Sequence, residues 1–166
     1  MTLEPKTVVW IHGDSLRSTD PALEEHPDAP ALFVFDKPFL ERVQVAFPRL
    51  AFMYQGVRDI AAVRAALTEI RVGDALTEMR DFARAHGAKR VAATQTVSRR
   101  FDEVMDALEN EFEIVVYDQE RLSSYNRRVK KFFGFWKEVE AEVTQGETLF
   151  SGGRSNGNSS SGGRRG

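Results

Sequence analysis

The sequence predicts an α/β protein with an open, five-stranded, mostly parallel, Rossmann-like sheet and helices on both faces. Three observations predict it. Short continuous apolar runs, such as Val8–Ile11 and Ala31–Phe35 (ALFVF), read as strands buried on both faces. Longer segments between such runs carry apolar residues at helical spacing. Strand and helix signals alternate along the chain, the pattern of a parallel sheet with crossover helices. With right-handed crossovers the first strand takes the middle of the sheet, beside the point where the winding reverses.

Each element has a local cause. Strand one, Thr7–His12, runs into the polar, glycine-bearing stretch Gly13-Asp14-Ser15. The loop 13–30 holds Pro21, Pro27 and Pro30, and Asp20-Pro21-Ala22-Leu23 starts a short helix with proline at its first position. Strand two, Ala31–Phe35, ends at Asp36-Lys37. Pro48 opens a helix in which Leu50, Met53, Tyr54, Val57, Ile60, Ala61 and Leu67 recur on one face. Glu69–Val72 is strand three. Asp74 caps the next helix, lined by Leu76, Met79, Phe82 and Ala83 and closed by His86-Gly87. Arg90–Thr94 is strand four. Ser98 is the N-cap of a helix to about Glu111, with Phe101, Val104, Met105 and Leu108 inward, and Ile114–Tyr117 is strand five. A last helix begins at Ser123 or Ser124 and carries the apolar stripe Val129, Phe132, Phe133, Trp136, Val139 and Val143. Residues 1–146 form one expected domain. Residues 147–166 form a Gly/Ser/Arg tail, expected to be disordered because Ser151–Gly166 has no apolar residue to bury.

Composition narrows the function. The 166 residues are 42% hydrophobic and 29% charged, enough for a core and a wet surface. Without cysteine, disulfides and thiolate metal sites are excluded, which fits a reducing, cytoplasmic location. MTLEPK has no apolar signal-peptide core, and no apolar stretch is long enough to span a bilayer, so no membrane contact is expected. The net charge of −2 is uneven. Arg121–Lys137 holds Arg121, Arg127, Arg128, Lys130, Lys131 and Lys137 without an acid, and the tail adds Arg154, Arg164 and Arg165. Either this is a solvated helix face, or Arg127, Arg128, Lys130 and Lys131 meet a partner. Tyr125, Phe132, Phe133, Phe135 and Trp136 interleave with those charges, a composition shared with single-strand nucleic-acid grooves. The helical spacing also assigns most of these rings to the core. The Arg/Gly tail adds a weak, salt-sensitive nucleic-acid attraction.

Chemical motifs are sparse. The chain lacks a Gly-x-Gly-x-x-Gly dinucleotide fingerprint and a Gly-x-x-x-x-Gly-Lys-Ser/Thr phosphate loop. His12, His26 and His86 are not at metal-ligand spacing. Gly13-Asp14-Ser15-Leu16 resembles the first block of the GDSL esterases, which would make Ser15 a nucleophile. That family's Asp-x-x-His base near the C-terminus and its Gly-x-Asn-Asp block are missing, and a nucleophile without a base is weak. Geometry alone places candidate ligand contacts at the C-terminal ends of the strands: His12, Gly13 and Asp14; Asp36 and Lys37; Thr94, Gln95 and Thr96; and Asp118. Main chain at Gly13 would flank an apolar ring, with Lys37 near a phosphate or carboxylate.

A longer likeness spans residues 7–137. Thr7–Leu23 (TVVWIHGDSLRSTDPAL) resembles the opening of DNA photolyases and cryptochromes, an apolar strand ending in Trp-Phe, then Arg-Arg-Asp-Leu-Arg and Asp-Asn-Pro-Ala-Leu. The likeness continues through Phe33-Val34-Phe35-Asp36, Ile70–Leu76, His86-Gly87-Ala88, Arg99-Arg100-Phe101-Asp102 and Phe133–Trp136. It implies an antenna-type α/β domain, which in that family holds a folate, deazaflavin or flavin chromophore. FAD and the repair chemistry belong to a separate helical domain that the likeness does not reach. The implied roles are therefore binding of a small aromatic or nucleotide-like ligand, or docking on a flavoprotein partner through the basic helix, without catalysis by this chain alone. A GDSL-type hydrolase using Ser15 and a nucleic-acid adaptor are the alternatives. His12 and Gly13 stand where the family has paired arginines, Arg17 falls one place later than the family's arginine, and Ser98 stands where some members place an acid that contacts the antenna.

Overall fold

A computed structural model describes residues 5–119. The expected basic helix and tail, with Arg127, Arg128, Lys130 and Lys131 and the boundary at 146, lie outside the described residues.

Five strands, β1 (Thr7–Ile11), β2 (Ala31–Asp36), β3 (Thr68–Gly73), β4 (Arg90–Thr94) and β5 (Glu113–Tyr117), form one sheet in the order β3-β2-β1-β4-β5. All four pairings are parallel. The architecture is the open Rossmann-like α/β fold, with β1 in the centre, where the strand order reverses. The register sets Val9 beside both Ala31 and Ala92 and Trp10 beside both Leu32 and Ala93.

The two-residue period of a strand divides these side chains between two cores. On one face Val8, Trp10, Leu32, Val34, Val91 and Ala93 pack under α4 (Ala75–Ala85) and α5 (Arg99–Glu109), which contribute Met79, Phe82, Phe101, Val104 and Leu108. On the other, Val9, Ile11, Ala31, Phe33 and Ala92 pack under α1 (Pro21–Glu25) and α3 (Phe47–Arg64), which contribute Ala22, Leu23, Val57 and Ile60. Burial on both faces is why these strands read as unbroken apolar runs.

Local signals place the helix ends. Asp20 caps α1 by accepting from the amides of Ala22 and Leu23, with Pro21 in the first turn. Asp74 caps α4 by accepting from the Thr77 amide. Gly87, at φ 61°, ends α4 in the left-handed conformation that glycine adopts freely.

Two elements differ from the sequence expectation. A helix α2 (Lys37–Val43) directly follows β2. It buries no residue, so it has no apolar stripe to betray it; Pro38 in its first turn was the available signal. The apolar face expected along α3 is real only in part. Val57 and Ile60 are buried, Tyr54 is largely exposed, and Leu67 falls in a separate 3-10 turn, Ala65–Leu67. In the first turns of α3, Arg49 and Met53 line a cavity, and Met53 also packs against the core on that face. Among the described residues, no helix is long and apolar enough to cross a membrane.

Candidate functional site

The loops after β1 and β4 meet where the strand order reverses, the usual ligand crevice of an open parallel sheet. Here hydrogen bonds stitch them together. His12 Nε2 lies 2.7 Å from the Thr94 carbonyl oxygen, which can only accept, so Nε2 carries the proton. The Asp14 amide donates to His12 Nδ1 at 3.3 Å. Both ring nitrogens are thus engaged, and His12 is a neutral, buried imidazole. Burial pushes its pKa below the ordinary histidine value, against the opposing pull of the Thr94 hydrogen bond and of Asp14 and Asp20. The Thr96 hydroxyl donates to Asp14 Oδ2 at 2.7 Å, closing a second stitch.

A third stitch lies deeper. Thr94 Oγ1 donates to Asp20 Oδ1 at 2.8 Å and accepts from the Ala22 amide at 3.2 Å. The Ser15 hydroxyl donates to Asp20 Oδ2. Ser15, Asp20 and Thr94 are all buried, and together they bind α1 to the ends of β1 and β4. The Ser15 hydroxyl therefore faces a carboxylate inside the protein and does not line the cavity described next.

That cavity, of about 290 Å³, opens beside the stitched crevice, over the ends of β1 and β2. Its floor is aromatic. Trp10 stacks on Phe101 with ring centroids 5.4 Å apart and planes 11° from parallel, and the His12 ring meets Phe101 edge-on at 5.3 Å. Val34 and Ala75 complete the floor; Phe39 and Leu40 of α2 with Met53 of α3 form the cover. Met53 seats closely on Gly13: a Cβ there would lie 2.9 Å from Met53 Cε, the movable end of that side chain.

The charged groups at the rim are paired. Arg100 Nε donates to Asp36 Oδ2 at 2.7 Å and Arg100 Nη2 to Asp74 Oδ2 at 2.9 Å. The Asp36 hydrogen bond, working against partial burial, raises the Arg100 pKa and keeps the guanidinium charged. Burial works to raise the Asp74 carboxyl, but Thr77 and Arg100 outweigh it and hold its pKa below the usual range. Arg49 lies 3.7 Å from Asp14.

Of the residues read from the sequence as ligand contacts, His12, Gly13, Asp14, Asp36 and Thr96 come together around the cavity. Lys37, Thr94 and Gln95 do not line it. Lys37 is exposed and pairs with Glu41, Thr94 is a buried strut, and Gln95 is exposed with its amide donating to the Thr96 carbonyl. Sequence reasoning missed Trp10, Phe101 and Arg100 as site residues. The rings read as core because they are core, both being buried, yet both also line the cavity. Among the described residues, no cluster of histidine and carboxylate side chains is arranged to hold a metal.

Fold and site together define an open parallel α/β domain with an aromatic-floored cavity at the carboxyl edge of its central strands. No protein-family model and no curated protein matches the sequence.

Proposed function

We propose that this domain binds a small, flat, aromatic or nucleotide-like ligand in the cavity over β1 and β2, in the manner of the antenna domain of photolyases and cryptochromes, and breaks no bond in it. The observation that carries the reading is the stacked Trp10–Phe101 floor beneath an apolar cover, a slot whose walls suit the face of a ring system.

Charge supports a neutral ring. Arg100 is already shared among three carboxylates, Asp36, Asp74 and Glu103, and Arg49 faces Asp14. A phosphate inside the cavity would have to compete with these pairs, so the part of the ligand held there is uncharged and any anionic arm points to solvent. Acid–base chemistry has little support, because both nitrogens of His12 are engaged and Ser15 is turned inward. A folate, deazaflavin or flavin antenna fits these walls, and Trp10, Phe101 and Met53 would hold its ring.

The test is calorimetric titration with riboflavin and with a reduced folate, in wild type and in Ser98→Phe. Ser98 lines the rim, is half-buried and makes no side-chain cap bond, so phenylalanine there fills the slot without removing a structural contact. Saturable binding of one ring compound, weakened at least about tenfold by Ser98→Phe, is expected. Failure of both compounds to bind, or equal binding by both proteins, refutes the reading.

A further inference from the structure

We propose that α2 is a lid over the cavity, hinged at Asp36 and Gln44 and latched by the ion pair of Asp36 with Arg100. The inference rests on the ligand reading only for what passes beneath the lid; the motion itself follows from how α2 is held.

Helix α2 is poorly anchored. It covers the cavity through Phe39 and Leu40, both only half-buried, and buries no residue in either core. The still shorter α1 makes the contrast: it buries Ala22 and Leu23, and Asp20 caps it twice. Segments with few buried apolar contacts open first.

Both ends of α2 are held in unfavourable arrangements. Asp36 occupies its N-cap position, but its carboxylate does not cap the helix. Oδ2 is taken by Arg100, while Oδ1 is sealed from solvent without a hydrogen-bond partner. A buried carboxylate oxygen left unpaired costs free energy, and any arrangement that turns it to water or to the first amides of α2 recovers that cost. At the other end Gln44 sits at φ 49° and ψ 55°. It is the only non-glycine residue with positive φ among the described residues. The floor has no such features, since Trp10 and Phe101 are buried in a central strand and in α5. A helix with few buried contacts, joined at one end through a carboxylate with an unpaired oxygen and at the other through a left-handed Gln44, is the element over this buried floor that yields first. Its closed state is kept by Arg100, which ties Asp36 at the base of the lid to Asp74 at the start of α4.

Volume gives the lid a purpose. A cavity of about 290 Å³ stands at the small end for organic ligands, so a yielding α2 lets a larger ring system seat beneath Phe39 and Leu40.

The test is hydrogen exchange read by mass spectrometry on the full chain without ligand, in wild type, Asp36→Asn and Gln44→Gly. Wild-type amides of α2 are expected to exchange at least about tenfold faster than those of α5. Asp36→Asn weakens the latch and should raise α2 exchange by about fivefold or more while the central strand β4, which does not touch the latch, stays unchanged. Gln44→Gly should lower it, because glycine takes the left-handed conformation without strain. Unchanged exchange in β4 separates these opposite shifts from a change in global stability. Exchange of α2 as slow as that of α5, or the same in all three proteins, overturns the lid. Riboflavin and the reduced folate, each added to the same samples, separate the two readings. Opposite shifts with neither riboflavin nor the reduced folate bound leave the lid standing and sink the ligand reading. Binding of either with an unchanged α2 does the reverse.

Discussion

Asp20 offers the most direct check on how the candidate site is held in place. Its Oδ1 accepts from the Ala22 amide at 2.9 Å, the Leu23 amide at 3.1 Å and the Thr94 hydroxyl at 2.8 Å, and its Oδ2 accepts from Ser15. Asp20→Ala removes all four at once. Loss of the cap costs about 1 kcal/mol. Each buried hydroxyl left without an acceptor costs roughly 1–3 kcal/mol. Thr94 keeps one bond, because its oxygen still accepts from Ala22, so the lower end applies there. The sum is about 3–5 kcal/mol, a large share of the stability of an ordinary domain. Asp20→Asn keeps an oxygen toward the amides and turns an NH2 group toward Ser15, whose hydroxyl oxygen can accept. It should cost only about 1 kcal/mol, mainly the lost charge assistance. Urea unfolding followed by far-ultraviolet circular dichroism measures both. An alanine variant within about 1 kcal/mol of wild type, or an asparagine variant as weak as alanine, refutes the hydrogen-bond account of the β1–β4–α1 junction.

Two further outcomes follow from the same geometry. His12 is neutral in the folded protein with a depressed pKa, so the unfolded chain binds the extra proton first. Its contribution to stability is complete above pH 6.5 and is lost as pH falls from there through the folded pKa, with a slope approaching about 1.4 kcal/mol per pH unit. The stability difference between wild type and His12→Asn should narrow between pH 7 and pH 5; a constant difference refutes the assignment. Phe101 is 4% exposed and touches both Trp10 and His12, so Phe101→Ala should cost about 3–5 kcal/mol and abolish binding of the ring compound that wild type takes up, whereas Phe47→Ala, at a position 78% exposed, should change stability by under about 0.5 kcal/mol, all read by thermal melting and calorimetry.

Much of the fold was legible because the strands obey one strong rule. Val8–Ile11, Ala31–Phe35 and Arg90–Thr94 are buried on both sides, so apolar composition alone marks them. Asp20, Asp74 and Gly87 mark helix ends through chemistry that acts within a few residues. Helix α2 escaped for the opposite reason, since a helix that buries nothing leaves no periodic stripe. The ligand edge was legible only as a list of strand ends, a list that mixed residues with different fates. His12, Asp14 and Asp36 face the cavity, while Thr94 turns inward to Asp20 and Lys37 turns outward to Glu41.

By itself, then, the sequence determined the α/β class, the central place of β1, the positions of the five strands, the start of α1 and the cap of α4. Those properties depend on burial periodicity and local hydrogen bonding, which neighbouring residues carry. The tertiary structure alone decided that His12 is a fixed neutral wall, that Ser15 is locked to Asp20, that Trp10 and Phe101 stack into a floor, and that Arg100 joins Asp36 to Asp74. Each of these joins residues from different elements, and only the packed sheet brings them within hydrogen-bond or ring-stacking distance.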